Sequence, residues 1–163
     1  MDPPEPSAVD NALAMLRALG AIDDQEMLCP LGHHLISLPV EPAIGRMLLM
    51  GAVFDCLDPV LTIAASLTYR SPFVLPMDDD ARRRADEAKR RLAQPHDSDH
   101  FALLNAYSEF RRLQSSQRPG HSAVYGWCRS NFVAKDTMDL IRVQRLELAQ
   151  VRPPACLPAS LAS

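Results

Sequence analysis

The amino-acid sequence predicts a mainly α-helical fold, in which a short β-hairpin near the N-terminus is followed by a bundle of helices. Apolar residues recur at intervals of three and four along most of the chain, which is the spacing of one face of an α-helix. Proline and acidic residues divide this pattern into segments of helical length. One segment, residues 60–67, is apolar nearly all round, as expected for a helix at the centre of a bundle.

The first helix and the hairpin are predicted from their end signals. Ser7 is the expected N-cap of the helix, and Gly20 is its expected C-terminal stop. Residues 23–26 are polar and lie between apolar neighbours, which predicts the turn of a short hairpin. This hairpin is the wing if the N-terminal part is a winged helix.

Prolines mark the next two helices. Pro30 at a first helical position predicts a helix over residues 31–38, and Pro39 and Pro42 are expected to close it. The apolar spacing that follows predicts a helix over residues 43–54.

Charge and capping residues mark the rest of the bundle. Asp58 before Pro59 predicts the start of the apolar helix, and Ser98 is the expected N-cap of a later one. Between them lies a charged helix whose acidic start and basic end complement the helix dipole. The remaining predicted segments are this helix at 78–93, a polar loop at 114–122, helices at 125–133 and 136–149, and a disordered tail at 150–163.

Length, charge and cysteines limit the possible functions. The chain has 163 residues and a net charge of −3, so nucleic-acid binding requires a local basic patch. The acidic, proline-rich N-terminus is unlike a signal peptide, and no apolar stretch is long enough to span a membrane. We therefore expect a cytoplasmic or nuclear protein without membrane contact. We interpret the widely spaced cysteines as free thiols; they are Cys29, Cys56, Cys128 and Cys156.

Signs of catalysis are missing from the sequence. It contains no GxxxxGKS/T loop, no GxGxxG turn and no GxSxG elbow. Its two lysines, Lys89 and Lys135, follow no glycine-rich turn. We expect no cofactor in this chain, and we expect the chain alone neither to bind nor to hydrolyse ATP.

Two groups of residues have alternative interpretations. The run from His96 to His100 resembles a metal-binding cluster, but we interpret its acids as helix capping, alone or with a polar edge that faces RNA. The aromatic residues are expected mainly in the core, with stacking on an RNA base as the alternative for one of them. They are Tyr107, Tyr125, Trp127 and Phe132. The basic band of residues 82–84 is interpreted as a solvated outer face.

Several segments, in order and spacing, resemble one known family. They are LCPLGHHL at 28–35, LPVEP at 38–42, CLDPVLTIAASL at 56–67, RSPF at 70–73 and NF at 131–132. Together they resemble the end of the winged-helix domain and the helical helicase-associated domain of DEAH-box RNA helicases. The resemblance covers about residues 3 to 148. The resemblance ends abruptly after about residue 148, which implies a truncated product, an incomplete gene model or a splice variant.

The resemblance implies three parts of the chain. Residues 1–42 correspond to the C-terminal part of the winged helix, 43–149 to the helical, ratchet-like domain, and 150–163 to the tail. In the family, two RecA-like domains bind ATP and Mg²⁺ and an OB-fold follows the bundle. The implied partners are those domains, single-stranded RNA, and an activator protein at the winged helix.

The resemblance also implies an accessory role in RNA contact without motor activity. The residues expected near RNA are Arg70, Ser98, Asp99, His100, Asn105 and Asn131. Whether Arg70, Arg129 and Lys135 converge into a basic stripe stays open. The alternative function is a protein-interaction or regulatory fragment that docks through the winged-helix part.

Overall fold

The computed structural model describes residues 3–115 and 121–150. Eight helices make up most of these residues, and the two β-bridges among them are isolated. The helices are α1 (Pro6–Ala18), α2 (Pro30–Ile36), α3 (Pro42–Val53), α4 (Leu57–Thr68), α5 (Asp79–Ala93), α6 (Asp99–Ser115), α7 (His121–Ser130) and α8 (Lys135–Gln150). The prediction of a mainly helical chain is confirmed.

A single β-bridge stands where the sequence predicted a hairpin. Ile22 and Leu28 pair in antiparallel fashion, and the Asp23 carboxylate accepts the N–H groups of Gln25 and Met27 at 2.9 Å each. No ladder of strands extends from this bridge in the described residues. The bridge cannot extend into a longer hairpin for two reasons. On one side α1 ends just before it, and on the other α2 begins with Pro30, which has no N–H to donate.

Three predicted helix boundaries differ from the structure. Glu5, not Ser7, is the N-cap of α1, and Cys56, not Asp58, is the N-cap of α4. Pro42 lies in the first turn of α3, although the sequence was interpreted as using it to end α2. Proline at the first helical positions loses no hydrogen bond, so Pro6 starts α1 two residues earlier than a Ser7 cap implies, and Pro42 starts α3 one residue earlier than the apolar spacing predicted.

The core is built around α4, as its apolar pattern predicted. This helix packs against α3, α6 and α8. Ala64 and Ala65 are fully buried, so their small side chains let the neighbouring helices approach closely. Phe110 of α6 and Met138 of α8 are also fully buried in the same cluster.

The C-terminal helices are longer or shorter than expected. The helix α6 extends to Ser115 and α7 begins at His121, so both ends of the loop predicted at 114–122 are helical, and residues 116–120 lie outside the described residues. The helix α7 ends at Ser130, and Val133 instead pairs with Phe73 in the second β-bridge. The predicted tail also lies outside the described residues, apart from Gln150 at the end of α8. Among the helices of residues 3–115 and 121–150, none has the length and apolar character that a bilayer crossing needs.

Candidate nucleic-acid interface

The second half of α5 contacts the segments that carry several of the predicted RNA-binding residues. The Lys89 ammonium lies 2.9 Å from the Asp99 carboxylate and 5.6 Å from the centre of the Phe73 ring. The Arg91 guanidinium donates a 3.0 Å hydrogen bond to the Asn131 side-chain oxygen. Positions 89 and 91 differ by about 200° around a helix, so these two contacts lie on different sides of α5.

The two predicted asparagines bind the protein itself. Asn105 donates from its amide to the carbonyl oxygen of Leu92 at 2.8 Å, at the end of α5. Asn131 is 8% exposed, and its amide nitrogen donates to the Trp127 carbonyl at 2.9 Å while its oxygen accepts from Arg91. Both side chains therefore position helix ends, and Asn131 also fixes the guanidinium of Arg91.

The other predicted residues lie at helix ends. Ser98 immediately precedes α6, and its carbonyl oxygen accepts the Ala102 N–H at 2.9 Å. The Asp99 carboxylate forms an ion pair with Lys89, while His100 and Arg70 are exposed. The six predicted residues therefore do not surround one pocket.

Residues 96–100, at the start of α6, have two alternative interpretations from the sequence, a metal-binding cluster or helix capping. Throughout the part of the chain that the structure describes, no group of three histidine, cysteine or acidic side chains is arranged to hold a metal ion. The His96 ring instead lies 4.3 Å from the Phe101 ring, centre to centre.

A cleft rich in arginine lies between α5 and the end of α7. Its volume is about 380 Å³. It is lined by Arg84, Glu87, Ala88, Arg91, Arg129, Ser130 and Phe132, and we name it the arginine cleft. Three guanidinium groups against one carboxylate make it locally positive in a chain whose net charge is −3.

The arginine cleft was not predicted from the sequence, although the spacing of two of its arginines was visible there. Arg84 and Arg91 are seven residues apart on α5, so they share one face, separated by about 20° around the axis. Nothing in the sequence shows that Arg129 of α7 faces them. Lys135, which was considered with Arg129, lies 2.6 Å from Asp139, and this hydrogen bond raises the pKa of the Lys135 ammonium.

A second, apolar groove lies in the N-terminal part. Its volume is about 340 Å³. It is lined by Leu16, Ala21, Ile22, Leu28, Gly32, Leu35, Ile36, Leu38, Val40 and Pro42. Ile36 is 68% exposed at this groove, and Met27, in the turn beside it, is 64% exposed.

Comparison with known protein families divides the chain into two matched parts. Residues 12–40 match the winged-helix part of the helicase associated domain (HA2), and residues 41–103 match its ratchet-like part. The domain borders inferred from the sequence, including the one after residue 42, stay predictions.

Individual proteins match over most of the chain. It is 47% identical over 145 residues to the DExH-box ATP-dependent RNA helicase DExH1 of Arabidopsis thaliana, a match that covers 89% of this chain and 14% of that protein. It is 41% identical over 150 residues to the ATP-dependent DNA/RNA helicase DHX36 of Homo sapiens, covering 92% and 14%. It is 38% identical over 164 residues to the ATP-dependent RNA helicase DHX29 of Homo sapiens, covering 100% and 12%. The chain thus spans a small fraction of the length of the relatives it matches.

Proposed function

Because the chain belongs to the helicase-associated (HA2) winged-helix and ratchet-like region of DExH-box helicases, we propose that it serves an ATP-dependent RNA helicase as an accessory module that contacts single-stranded RNA. In this proposal the RecA-like domains of such a helicase bind ATP and Mg²⁺ and drive movement. The chain contributes a rigid helical surface on which the strand rests, together with the OB-fold as a neighbour.

The arginine cleft is the observation that carries this proposal. A guanidinium group is planar and always charged, and it forms paired hydrogen bonds with phosphate oxygens. Arg84 and Arg129 reach the cleft from different helices, so they can bind successive phosphates of one strand. Asn131 holds Arg91 in place through the 3.0 Å hydrogen bond, which reduces the entropy that Arg91 loses on binding RNA.

Removing two arginines of the cleft is expected to weaken RNA binding. The variant Arg84→Ala/Arg129→Ala loses two exposed charges, so we expect its affinity for a labelled oligouridylate to fall at least about tenfold. The slope of log affinity against log salt concentration is expected to decrease by about 0.7 for each lost phosphate contact. Fluorescence anisotropy over a salt series measures both quantities.

The matched control removes the same net charge elsewhere. Arg83 and Arg142 are exposed and do not line the arginine cleft, so Arg83→Ala/Arg142→Ala is expected to leave the affinity within about twofold of wild type. Equal losses in both double variants would show a diffuse charge effect and not a site. No binding by the wild-type chain at low salt would contradict the proposed function itself.

The apolar groove favours a second function, docking of a protein partner through the winged-helix part. Large apolar side chains grouped at the surface mark interaction sites more often than scattered ones do. The partner in this alternative is an activator protein or a RecA-like domain.

The docking alternative has its own test. In a binding assay with RecA-like domains of a DExH-box helicase, Ile36→Asp is expected to reduce capture of the partner at least about tenfold, because a carboxylate cannot be buried there unpaired. Val53 is 57% exposed on α3 and does not line the groove, so Val53→Asp is the control. Unchanged capture by Ile36→Asp would rule the groove out as the docking surface.

A further inference from the structure

The end of α7 places an aromatic residue in a left-handed backbone conformation. Phe132 has a φ of 53° and follows the last helical turn. Its N–H donates to the Arg129 carbonyl at 3.4 Å, and the N–H of Val133 donates to the Cys128 carbonyl at 2.9 Å. These two hydrogen bonds define a Schellman motif with Phe132 at C′, the position that glycine usually occupies.

Among residues 3–115 and 121–150 the same motif occurs twice more, with other residues at C′. At the end of α1 the position holds Gly20, with a φ of 73°, and at the end of α3 it holds Asp55, with a φ of 54°. The N–H of Asp55 donates to Ala52 and that of Cys56 to Gly51, at 3.3 and 2.8 Å. Glycine adopts this conformation without steric conflict, and aspartate tolerates it, whereas a bulky residue is disfavoured there. Phe132 therefore lies at a position where the backbone geometry of the helix end favours glycine over a bulky residue.

The hydrophobic core does not account for the aromatic ring either. The neighbouring Val133 is 5% exposed and belongs to the core cluster, whereas the half-buried Phe132 lines the arginine cleft. The Phe132 carbonyl accepts a 2.7 Å hydrogen bond from the N–H of Val74, which holds the backbone from a second side. The backbone of Phe132 is thus held from two sides, at the edge of a cleft that three arginines also line.

We propose that Phe132 is the base-stacking residue of the arginine cleft, an inference that rests on the proposed RNA contact. One unpaired base stacks on its ring in the cleft while the arginines bind the adjoining phosphates. Stacking accepts every base, since each has a π-face, so this site recognises single strands without sequence preference. The other three aromatic candidates from the sequence lie outside this cleft: Tyr107 is 4% exposed beneath Arg145, Trp127 packs against the core, and Tyr125 lies with its ring centre 5.5 Å from the Lys135 ammonium.

The substitution Phe132→Gly separates stacking from folding. Glycine relieves the left-handed backbone, so the midpoint of urea unfolding is expected to stay the same or rise. The affinity for oligouridylate is expected to fall by about 5- to 150-fold, which corresponds to the loss of one base–aromatic stack. The affinity for an abasic strand of the same length, which keeps the phosphates, is expected to remain within about twofold of wild type.

Two further variants complete the test. Phe132→Trp keeps a stacking surface and is expected to retain the affinity for oligouridylate. Asp55→Gly makes the equivalent change at the C′ position of α3, away from the cleft, and is expected to leave RNA binding unchanged.

The possible outcomes are distinguishable. Equal binding of oligouridylate by wild type and Phe132→Gly would overturn the stacking role and leave the proposed function intact. A lower unfolding midpoint together with equal losses for both strands would show that the ring only supports the fold, and it would likewise overturn the stacking role. If the wild-type chain bound neither strand, the proposed function would fail and the stacking role with it.

Discussion

Replacing Phe110 with alanine is expected to lower the free energy of unfolding by about 3–5 kcal/mol, because the substitution leaves a cavity that the surrounding helices fill only in part. Phe110 is fully buried in the cluster formed by α4, α6 and α8. Ala64 and Ala106, also fully buried there, are too small to occupy the lost volume. Since native domains are stable by only about 5–15 kcal/mol, this loss removes a large part of the stability.

Urea denaturation followed by far-UV circular dichroism measures this effect. The matched control is Phe54→Ala, because Phe54 is 75% exposed at the end of α3 and its truncation is expected to change stability by no more than about 0.5 kcal/mol. Similar unfolding midpoints for the two variants would contradict the assignment of Phe110 to the centre of the core.

The sequence predicted the elements whose signals are local. The apolar residues 60–67 predicted the central helix, and Gly20 predicted the end of α1 through its left-handed conformation. Asp78 predicted the start of α5, and its carboxylate does accept the Ala81 N–H at 2.8 Å. Each of these signals depends on residues within about one turn of each other, which is why a single sequence carries them.

Boundaries were wrong where two local signals competed. At α1 the proline at position 6 prevailed over the Ser7 hydroxyl as the start signal. At α4 the Schellman motif of Asp55 uses the Cys56 N–H, so the next helix begins immediately afterwards and Asp58 lies inside its first turn. The shift at α4 follows from the end of the preceding helix, α3, which propensity alone does not show.

The candidate site was harder to predict because its contacts are distant in sequence. The hydrogen bond between Arg91 and Asn131 joins residues 40 positions apart, and that between Asn105 and Leu92 joins residues 13 positions apart. The sequence analysis selected both asparagines as residues near RNA, but it did not show that Asn105 binds the end of α5 or that Asn131 binds Arg91 and the Trp127 carbonyl. Nor did it place Phe132 in the arginine cleft, since an aromatic residue at a left-handed helix end has no common sequence signal.

The substitution Gly32→Ala is expected to disrupt the N-terminal part of the chain. A Cβ atom at position 32 meets the Ala21 carbonyl oxygen at 2.1 Å and the Leu28 side chain at 2.9 Å. The backbone cannot easily withdraw, because the same Ala21 carbonyl accepts the Cys29 N–H at 2.9 Å. Overpacking against backbone is poorly relieved, so we expect a loss of about 3 kcal/mol, the upper end of the usual range, for the region around α1 and α2. In a helix without such a neighbour, the same change stabilises by about 0.5–1 kcal/mol.

Gly126 provides that contrast, since a Cβ atom there meets nothing within 4 Å among the residues that the structure describes. Amide hydrogen exchange is expected to show lost protection in α1 and α2 of Gly32→Ala, while α4 keeps much of its protection because its core contacts are with α3, α6 and α8. Gly126→Ala is expected to exchange as slowly as the wild type or more slowly. Wild-type protection of α2 in Gly32→Ala would show that α2 and the bridge before it do not pack at the distance described, and the apolar groove that they line would then lack its structural basis.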